Sequence, residues 1–232
     1  MPPSPDHPNG IHENFAIYEF HEYFLGEISS AWYDDRPLPS QAFHSEIALR
    51  YQQKLCDVVN QEFGILEMPL IKDPRMCRLL PLWEPMLEQH FPERRFILPI
   101  RHPLEVAQSL FKRDEIPLEN GLLLWLRHSL EGEFHTRKQQ RMITSYEQLI
   151  AQPAPLLAKL GDFLGLPVNQ PDELIHNRVD STLRHHVYSS PPLESKWFAL
   201  CVKVYDILTQ EGELAVVELD EVAGTLSQMT RN

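Results

Sequence analysis

The segment IRHPLEVAQSLFKR, residues 100–113, combines residue types that can bind a phosphate group. Arg101 follows an apolar run that ends at Ile100, and Pro103 suits the first position of a helix. In open α/β sheets, ligands bind beyond the carboxyl ends of the strands, and a helix N-terminus there favours an anion. Arg101 can contact a phosphate with two parallel hydrogen bonds, and Ser109 can add a hydroxyl donor. The segment therefore permits an anion site built on these two residues; the alternative is a surface arginine that caps a strand and a serine on a solvated helix face.

A lysine after a second apolar run could stabilise developing negative charge. In LIKDPR, residues 70–75, the apolar run precedes Lys72, so we expect its ammonium at the carboxyl end of a strand. A fixed cation lowers the energy of a transition state in which charge builds on a leaving group. The residues equally permit an exposed Lys72, with Asp73 capping the helix that follows.

A carboxylate and an imidazole stand side by side in NGIHEN, residues 9–14. Either His12 or Glu13 could remove the proton of an acceptor hydroxyl as a general base, and we place Glu13 first and His12 second. The alternative is that Glu13 only begins a helix, where a carboxylate is electrostatically favourable.

In this combination and order, the segments resemble the sulfotransferase family, in its bacterial type that uses 3'-phosphoadenosine 5'-phosphosulfate (PAPS). The resemblance implies that Arg101 and Ser109 hold the 3'-phosphate of the nucleotide, with Arg113 as a further arginine of the same element. It also implies that Lys72 reaches the transferring sulfuryl group. Glu13 then corresponds to the general base. Histidine serves as the base in other branches of the family, so His12 remains the alternative base.

Two later segments extend the resemblance to about residue 187. The run ITSYEQLIAQP, residues 143–153, is similar to a late part of the family's core and implies that Tyr146 lies against the adenine. The run VDSTLRHH, residues 179–186, is similar to a loop in which an arginine, here Arg184, approaches the nucleotide. The implied reaction transfers a sulfuryl group from PAPS, as co-substrate, to a hydroxyl of a small molecule or glycan, without a metal ion.

The family's phosphate loop, similar to Gly-x-x-x-Ser-Gly-Thr-Ser, has no counterpart among the 232 residues. It would precede MPPSPDHPNG, so we expect a truncated chain that binds the donor weakly and turns over slowly. A rival interpretation is a non-catalytic pseudoenzyme or interaction module with the same fold. A nucleotide kinase is the second rival, but it would need a Gly-Lys-Ser/Thr loop and acidic metal partners, and neither is recognisable.

The elements that must position these residues follow from hydrophobic periodicity and from capping and breaking residues. Helices are predicted over residues 13–28, 41–63, 103–113, 118–138, 146–151, 155–164 and 194–210, with one more that follows Pro74 and runs to about Gln89. Strands are predicted at 68–71, 95–100 and 142–143. Strands that alternate with helices predict an α/β fold, a three-layer, parallel-sheet, P-loop-like sulfotransferase core that lacks its first strand and phosphate loop. We expect a single domain over residues 1–232, with an extended segment 1–12 and a helical C-terminal extension 188–232.

Composition narrows the classes of partner. The net charge is −12, from 33 acidic against 21 basic residues, which argues against general binding to nucleic acid or to an anionic membrane surface. The three cysteines have neither metal-type spacing nor a disulfide pattern, and no apolar run approaches the ~20 residues that span a bilayer. These features predict a cytoplasmic protein without a membrane span, and they leave a homo-oligomer open.

Overall fold

The computed structural model describes residues 12–64, 66, 68–168, 194–210 and 215–230. The chain divides into two compact units. The N-terminal unit takes residues 1–94 and 131–135, and the C-terminal unit takes residues 95–130 and 136–232. The prediction of a single domain, with its extended segment 1–12 and its extension 188–232, stays a prediction.

The described part of the N-terminal unit is helical. Its elements are α1 (Phe15–Glu27), a 3-10 helix (Ser40–His44), α2 (Glu46–Phe63) and α3 (Met76–His90). Ser45 accepts a hydrogen bond from the Ala48 N–H at 3.2 Å, so α2 begins later than the predicted helix 41–63. The largest fully buried side chains of this unit include Trp83, Phe24 and Leu55.

The described part of the C-terminal unit joins two strands to helices. Its elements are β1 (Phe96–Ile100), α4 (Pro103–Asp114), α5 (Leu118–Thr136), β2 (Arg141–Ser145), α6 (Tyr146–Ala151), α7 (Pro153–Leu164), α8 (Lys196–Thr209) and α9 (Val216–Met229). Helix α5 contributes residues 118–130 and Thr136 to this unit, while residues 131–135 belong to the N-terminal unit. The predicted strands near 95–100 and 142–143 are confirmed as β1 and β2, and the predicted helices after them are confirmed with small shifts of their ends.

The two strands are parallel and in simple register, from Phe96 opposite Arg141 to Ile100 opposite Ser145. The core of the unit is formed by α4, α5, α8 and α9, whose buried residues include Leu122, Leu126, Val204 and Leu226. Helices α4 and α5 approach closely at Gly121, where an added Cβ would lie 3.0 Å from the Ala107 Cα.

The predicted strand 68–71 is wrong. The described residues contain two strands in one sheet, and this run is not one of them. Two of its apolar side chains face water: Leu70 is 80% exposed and Met68 is 50% exposed. A short apolar run becomes a strand only when a neighbouring strand pairs with its backbone, and periodicity alone cannot show this. The described structure is therefore α/β with a small parallel sheet; the P-loop-like, three-layer form of that fold stays a prediction.

None of the described helices has the length and apolar content needed to cross a membrane.

Candidate functional site

Arg101 and Tyr146 lie side by side at the carboxyl ends of the two strands. Each is the first residue after its strand, and the register sets Ile100 opposite Ser145. The Arg101 guanidinium lies over the Tyr146 ring, 4.6 Å from its centroid, in a cation–π contact. The Trp125 indole N–H donates to the Arg101 carbonyl at 2.9 Å and fixes the backbone at this point. Two of the residues predicted to bind the nucleotide are thus in direct contact.

A capping box holds Tyr146 at the first position of α6. The Ser145 hydroxyl accepts a hydrogen bond from the Gln148 N–H at 3.0 Å, and the Ser145 N–H donates to the Gln148 Oε1 at 3.1 Å. These two bonds satisfy backbone donors at the start of the helix and make a sharp strand-to-helix transition. The aromatic ring is therefore positioned by local sequence, directly beyond the strand end.

Glu105 is a member of this site that sequence reasoning missed. The Arg101 Nε donates to the Glu105 Oε2 at 3.0 Å, and the Glu105 carboxylate is fully buried in the first turn of α4. The spacing of four residues was a visible signal. An acidic residue in a first helical turn is normally explained by the helix dipole, so its burial could not be foreseen.

The N-terminal end of α4 supplies further donors. No side-chain hydrogen bond caps it: His102 occupies the cap position, and Pro103 follows. Ser109 is half-buried and lies four residues after Glu105 on one face of the helix, about 9 Å along the axis from the first helical position. A guanidinium beside an uncapped helix start is suited to a phosphate group, whereas Ser109 lies more than one helical turn away. The Glu105 carboxylate competes for the same guanidinium.

Glu13 and Lys72 form an ion pair in the N-terminal unit. The Lys72 Nζ lies 2.7 Å from the Glu13 Oε1. The Glu13 side chain is only 7% exposed, whereas that of Lys72 is half exposed. Lys72 lies in the segment before α3 and does not follow a strand, so its predicted place at a strand end is wrong. The two proposed catalytic groups nevertheless meet, across 59 positions of sequence.

Arg75 binds the other side of Glu13. Its Nη1 lies 3.7 Å from the Glu13 Oε2 and 3.1 Å from the Asp73 Oδ1, and its Nε donates to Glu22. Its guanidinium also lies over the Tyr18 ring, 4.4 Å from the centroid. Burial by itself lowers the pKa of Arg75, but the carboxylates of Asp73 and Glu22 outweigh burial and raise it. Arg75 therefore stays charged and orients the acidic side chains around it.

A buried network lies beneath this group. The Trp83 indole N–H donates to the His21 Nε2 at 2.8 Å, and the His21 Nδ1 lies 3.3 Å from the Asp73 Oδ2. Because Nε2 accepts a hydrogen bond, the ring proton of His21 belongs on Nδ1, facing Asp73. Burial by itself raises the pKa of Asp73, but the contact with His21 and the charge of Arg75 outweigh burial and lower it. These fully buried groups position the acidic and basic side chains.

His12 and Arg184 are the two remaining predicted residues, and only His12 belongs to the described part of the chain. His12 is exposed and has a left-handed backbone, with φ 55°, immediately before the buried Glu13. Arg184 lies outside the described residues. Among the described residues, no group of three or more His, Cys, Asp or Glu side chains could hold a metal ion.

Comparison with known proteins gives a partial likeness. No family model matches the chain. It is 29% identical over 126 residues to a protein of Caenorhabditis elegans named "Putative protein-tyrosine sulfotransferase", covering 46% of this chain and 48% of that protein. The chain thus spans about half the length of the curated relative it matches. A solved structure, "Sulfotransferase Domain from the Curacin Biosynthetic Pathway", is 18% identical, with 89% of this chain and 77% of that chain covered and a TM-score of 0.44. The curated likeness supports a sulfotransferase-like protein.

Proposed function

We propose that this chain is a sulfotransferase that transfers the sulfuryl group of PAPS to a hydroxyl of a small molecule or glycan. In this reaction the bond between sulfur and the bridging oxygen of the 5'-phosphate breaks, and a bond from sulfur to the acceptor oxygen forms. The acceptor proton goes to a base, and 3',5'-adenosine bisphosphate leaves. The bacterial type, the cytoplasmic location and the absence of a metal belong to the same proposal.

The contact between Arg101 and Tyr146 is the observation that carries this proposal. A cation stacked on an aromatic ring, beyond the ends of two parallel strands and beside an uncapped helix start, suits a nucleotide that carries a phosphate. In the proposal Arg101 and Ser109 hold the 3'-phosphate, and Tyr146 packs against the adenine. The role of Arg184 near the nucleotide stays part of the proposal.

The ion pair of the N-terminal unit supports the proposed chemistry. Glu13 is buried, so a carboxylate there loses part of its hydration and is held by Lys72 and Arg75. We assign Glu13 as the general base, and we assign Lys72 to the charge that develops on the bridging oxygen. For that role the ammonium must exchange Glu13 for the nucleotide, and its half-exposed position permits the movement. His12 is the alternative base.

A non-catalytic relative is the second candidate, and one contact favours it. Glu105 engages the guanidinium that would hold the 3'-phosphate. Such a protein would keep the fold and an interaction surface, and it would not turn over PAPS.

Calorimetric titration tests the proposal with 3',5'-adenosine bisphosphate and 5'-AMP as probes. Arg101→Lys keeps the charge but loses the planar fork, so we expect about tenfold weaker binding of the bisphosphate and little change for 5'-AMP. The matched control is Arg137→Lys, whose partner is the exposed Asp220. Equal losses for both nucleotides would show that Arg101 does not read the 3'-phosphate, and binding of neither would favour the non-catalytic relative.

Turnover of PAPS separates the two proposed bases in the same protein. Lys72→Ala and Glu13→Gln should each lower kcat by about a hundredfold or more while nucleotide affinity changes only a few-fold, because their contacts strengthen in the transition state. Loss of turnover in His12→Ala with full turnover in Glu13→Gln would move the role of base to His12.

A further inference from the structure

Glu105 is a fully buried carboxylate that binds one side of the Arg101 guanidinium. Its Oε2 accepts a hydrogen bond from the Arg101 Nε at 3.0 Å, while the arginine side chain is partly exposed. An arginine carries further N–H groups on its two Nη atoms. Within the described part of the chain, neither Nη atom of Arg101 donates a hydrogen bond to another residue. The carboxylate and a phosphate can therefore bind this guanidinium at the same time, on different sides.

The surroundings of this ion pair keep both partners in place. The Arg101 guanidinium rests on the Tyr146 ring, 4.6 Å from the centroid. Glu105 lies in the first turn of α4, two residues after Pro103, whose ring fixes the backbone φ at the start of the helix. A fully buried side chain in a close-packed interior has little room to change its rotamer. A phosphate that reaches the Nη atoms therefore binds with the carboxylate still beside the arginine.

The negative charge of Glu105 opposes the binding of an anion to Arg101. The carboxylate offsets part of the positive charge that attracts a phosphate, and it also repels the phosphate directly. Two groups on different sides of one guanidinium lie within about 8 Å, the Debye length in physiological salt, so dissolved ions do not remove this repulsion. A phosphate monoester carries close to two negative charges near pH 7, which makes its binding sensitive to a fixed carboxylate.

We propose that Glu105 weakens the binding of the 3'-phosphate to Arg101 and thereby speeds the release of 3',5'-adenosine bisphosphate after sulfuryl transfer. This role rests on the proposed function, in which Arg101 holds the 3'-phosphate. Release of product limits turnover in many enzymes, and a guanidinium with its full charge would hold the bisphosphate longer. Glu105 acts through Arg101 and touches no reacting atom, so it sets affinity without taking part in the chemical step.

Glu105→Gln tests this role, because the amide keeps the size of the side chain and still accepts a hydrogen bond from the Arg101 Nε, while it removes the charge. In calorimetric titrations we expect the variant to bind 3',5'-adenosine bisphosphate about tenfold more tightly and 5'-AMP within about twofold of the wild type. Stopped-flow displacement should trace the gain to slower dissociation. The matched control is Glu221→Gln, which removes an exposed carboxylate of α9 and should leave both affinities within about twofold.

The results distinguish a failure of this role from a failure of the proposed function. If the wild type binds the bisphosphate and Glu105→Gln binds it equally or more weakly, the role of Glu105 is wrong and the function stands. An equal gain for 5'-AMP, or tighter binding with unchanged dissociation, would also overturn the role. Binding by the variant alone would support the role of Glu105 and favour a non-catalytic wild type. Binding by neither protein would overturn both.

Discussion

The ion pair between Arg101 and Glu105 predicts that removal of the arginine alone is worse than removal of both charges. The Glu105 carboxylate is fully buried, and the Arg101 side chain is 28% exposed. At 3.0 Å and an effective dielectric constant near 20, their attraction is about 5.5 kcal/mol before the cost of desolvation. Most of it offsets the removal of the carboxylate from water. Arg101→Ala therefore leaves a buried charge without this ion pair.

The expected changes in the free energy of unfolding differ between the variants, because only Arg101→Ala leaves a buried charge. Arg101→Ala should lower the free energy of unfolding by about 2–4 kcal/mol, somewhat below the usual cost of a broken buried pair because Arg101 is partly exposed. Glu105→Gln should cost about 1 kcal/mol, since the arginine keeps its contact with Tyr146 and its access to water. The double variant should cost about 2 kcal/mol, which is less than the sum of the single variants.

Urea unfolding at pH 7, followed by far-ultraviolet circular dichroism, measures all four proteins of this cycle. Additivity of the two substitutions within about 0.5 kcal/mol would refute an energetic coupling between Arg101 and Glu105. So would a loss below about 0.5 kcal/mol for Arg101→Ala, because removal of the arginine from a buried carboxylate should cost more. Arg101→Lys is the better variant for nucleotide titrations because a lysine keeps a positive charge beside the buried Glu105.

Two further predictions concern stability. The pKa of Asp73 lies below its ordinary value, so its contribution to stability is present above the unfolded pKa, near 3.9, and is lost as the pH falls through the folded pKa. Asp73→Asn should therefore be less stable than the wild type at pH 7, with a gap that narrows towards pH 3 in urea titrations; a gap independent of pH would contradict this. Gly121→Ala should cost about 1–3 kcal/mol because its Cβ meets Ala107 at 3.0 Å, whereas Gly224→Ala, with nothing within 4 Å, should gain up to about 1 kcal/mol. Thermal unfolding midpoints that move in the same direction in both variants would count against this reading of the packing.

Local signals in the sequence were enough to predict most helices and the two strands β1 and β2. Periodicity, capping serines, and prolines at helix starts depend on residues a few positions apart, so they can be read without the fold. The same local logic placed Arg101 after β1 and Tyr146 within the segment that turns from β2 into α6. It failed at residues 68–71, where apolar character alone predicted a strand that the structure does not contain.

Partners at long range were decided by the tertiary structure. The contact of Glu13 with Lys72 joins residues 59 positions apart, and that of His21 with Trp83 joins residues 62 positions apart. Local spacing predicts neither contact, because the chain offers many other side chains that could form such pairs. The burial of Glu105 is of the same kind: the sequence sets it four residues after Arg101, but only packing of α4 removes its carboxylate from water. The sequence thus determined which chemical groups follow β1 and β2, and the packing decided which groups are paired, because pairing depends on distance in space and burial depends on the whole core.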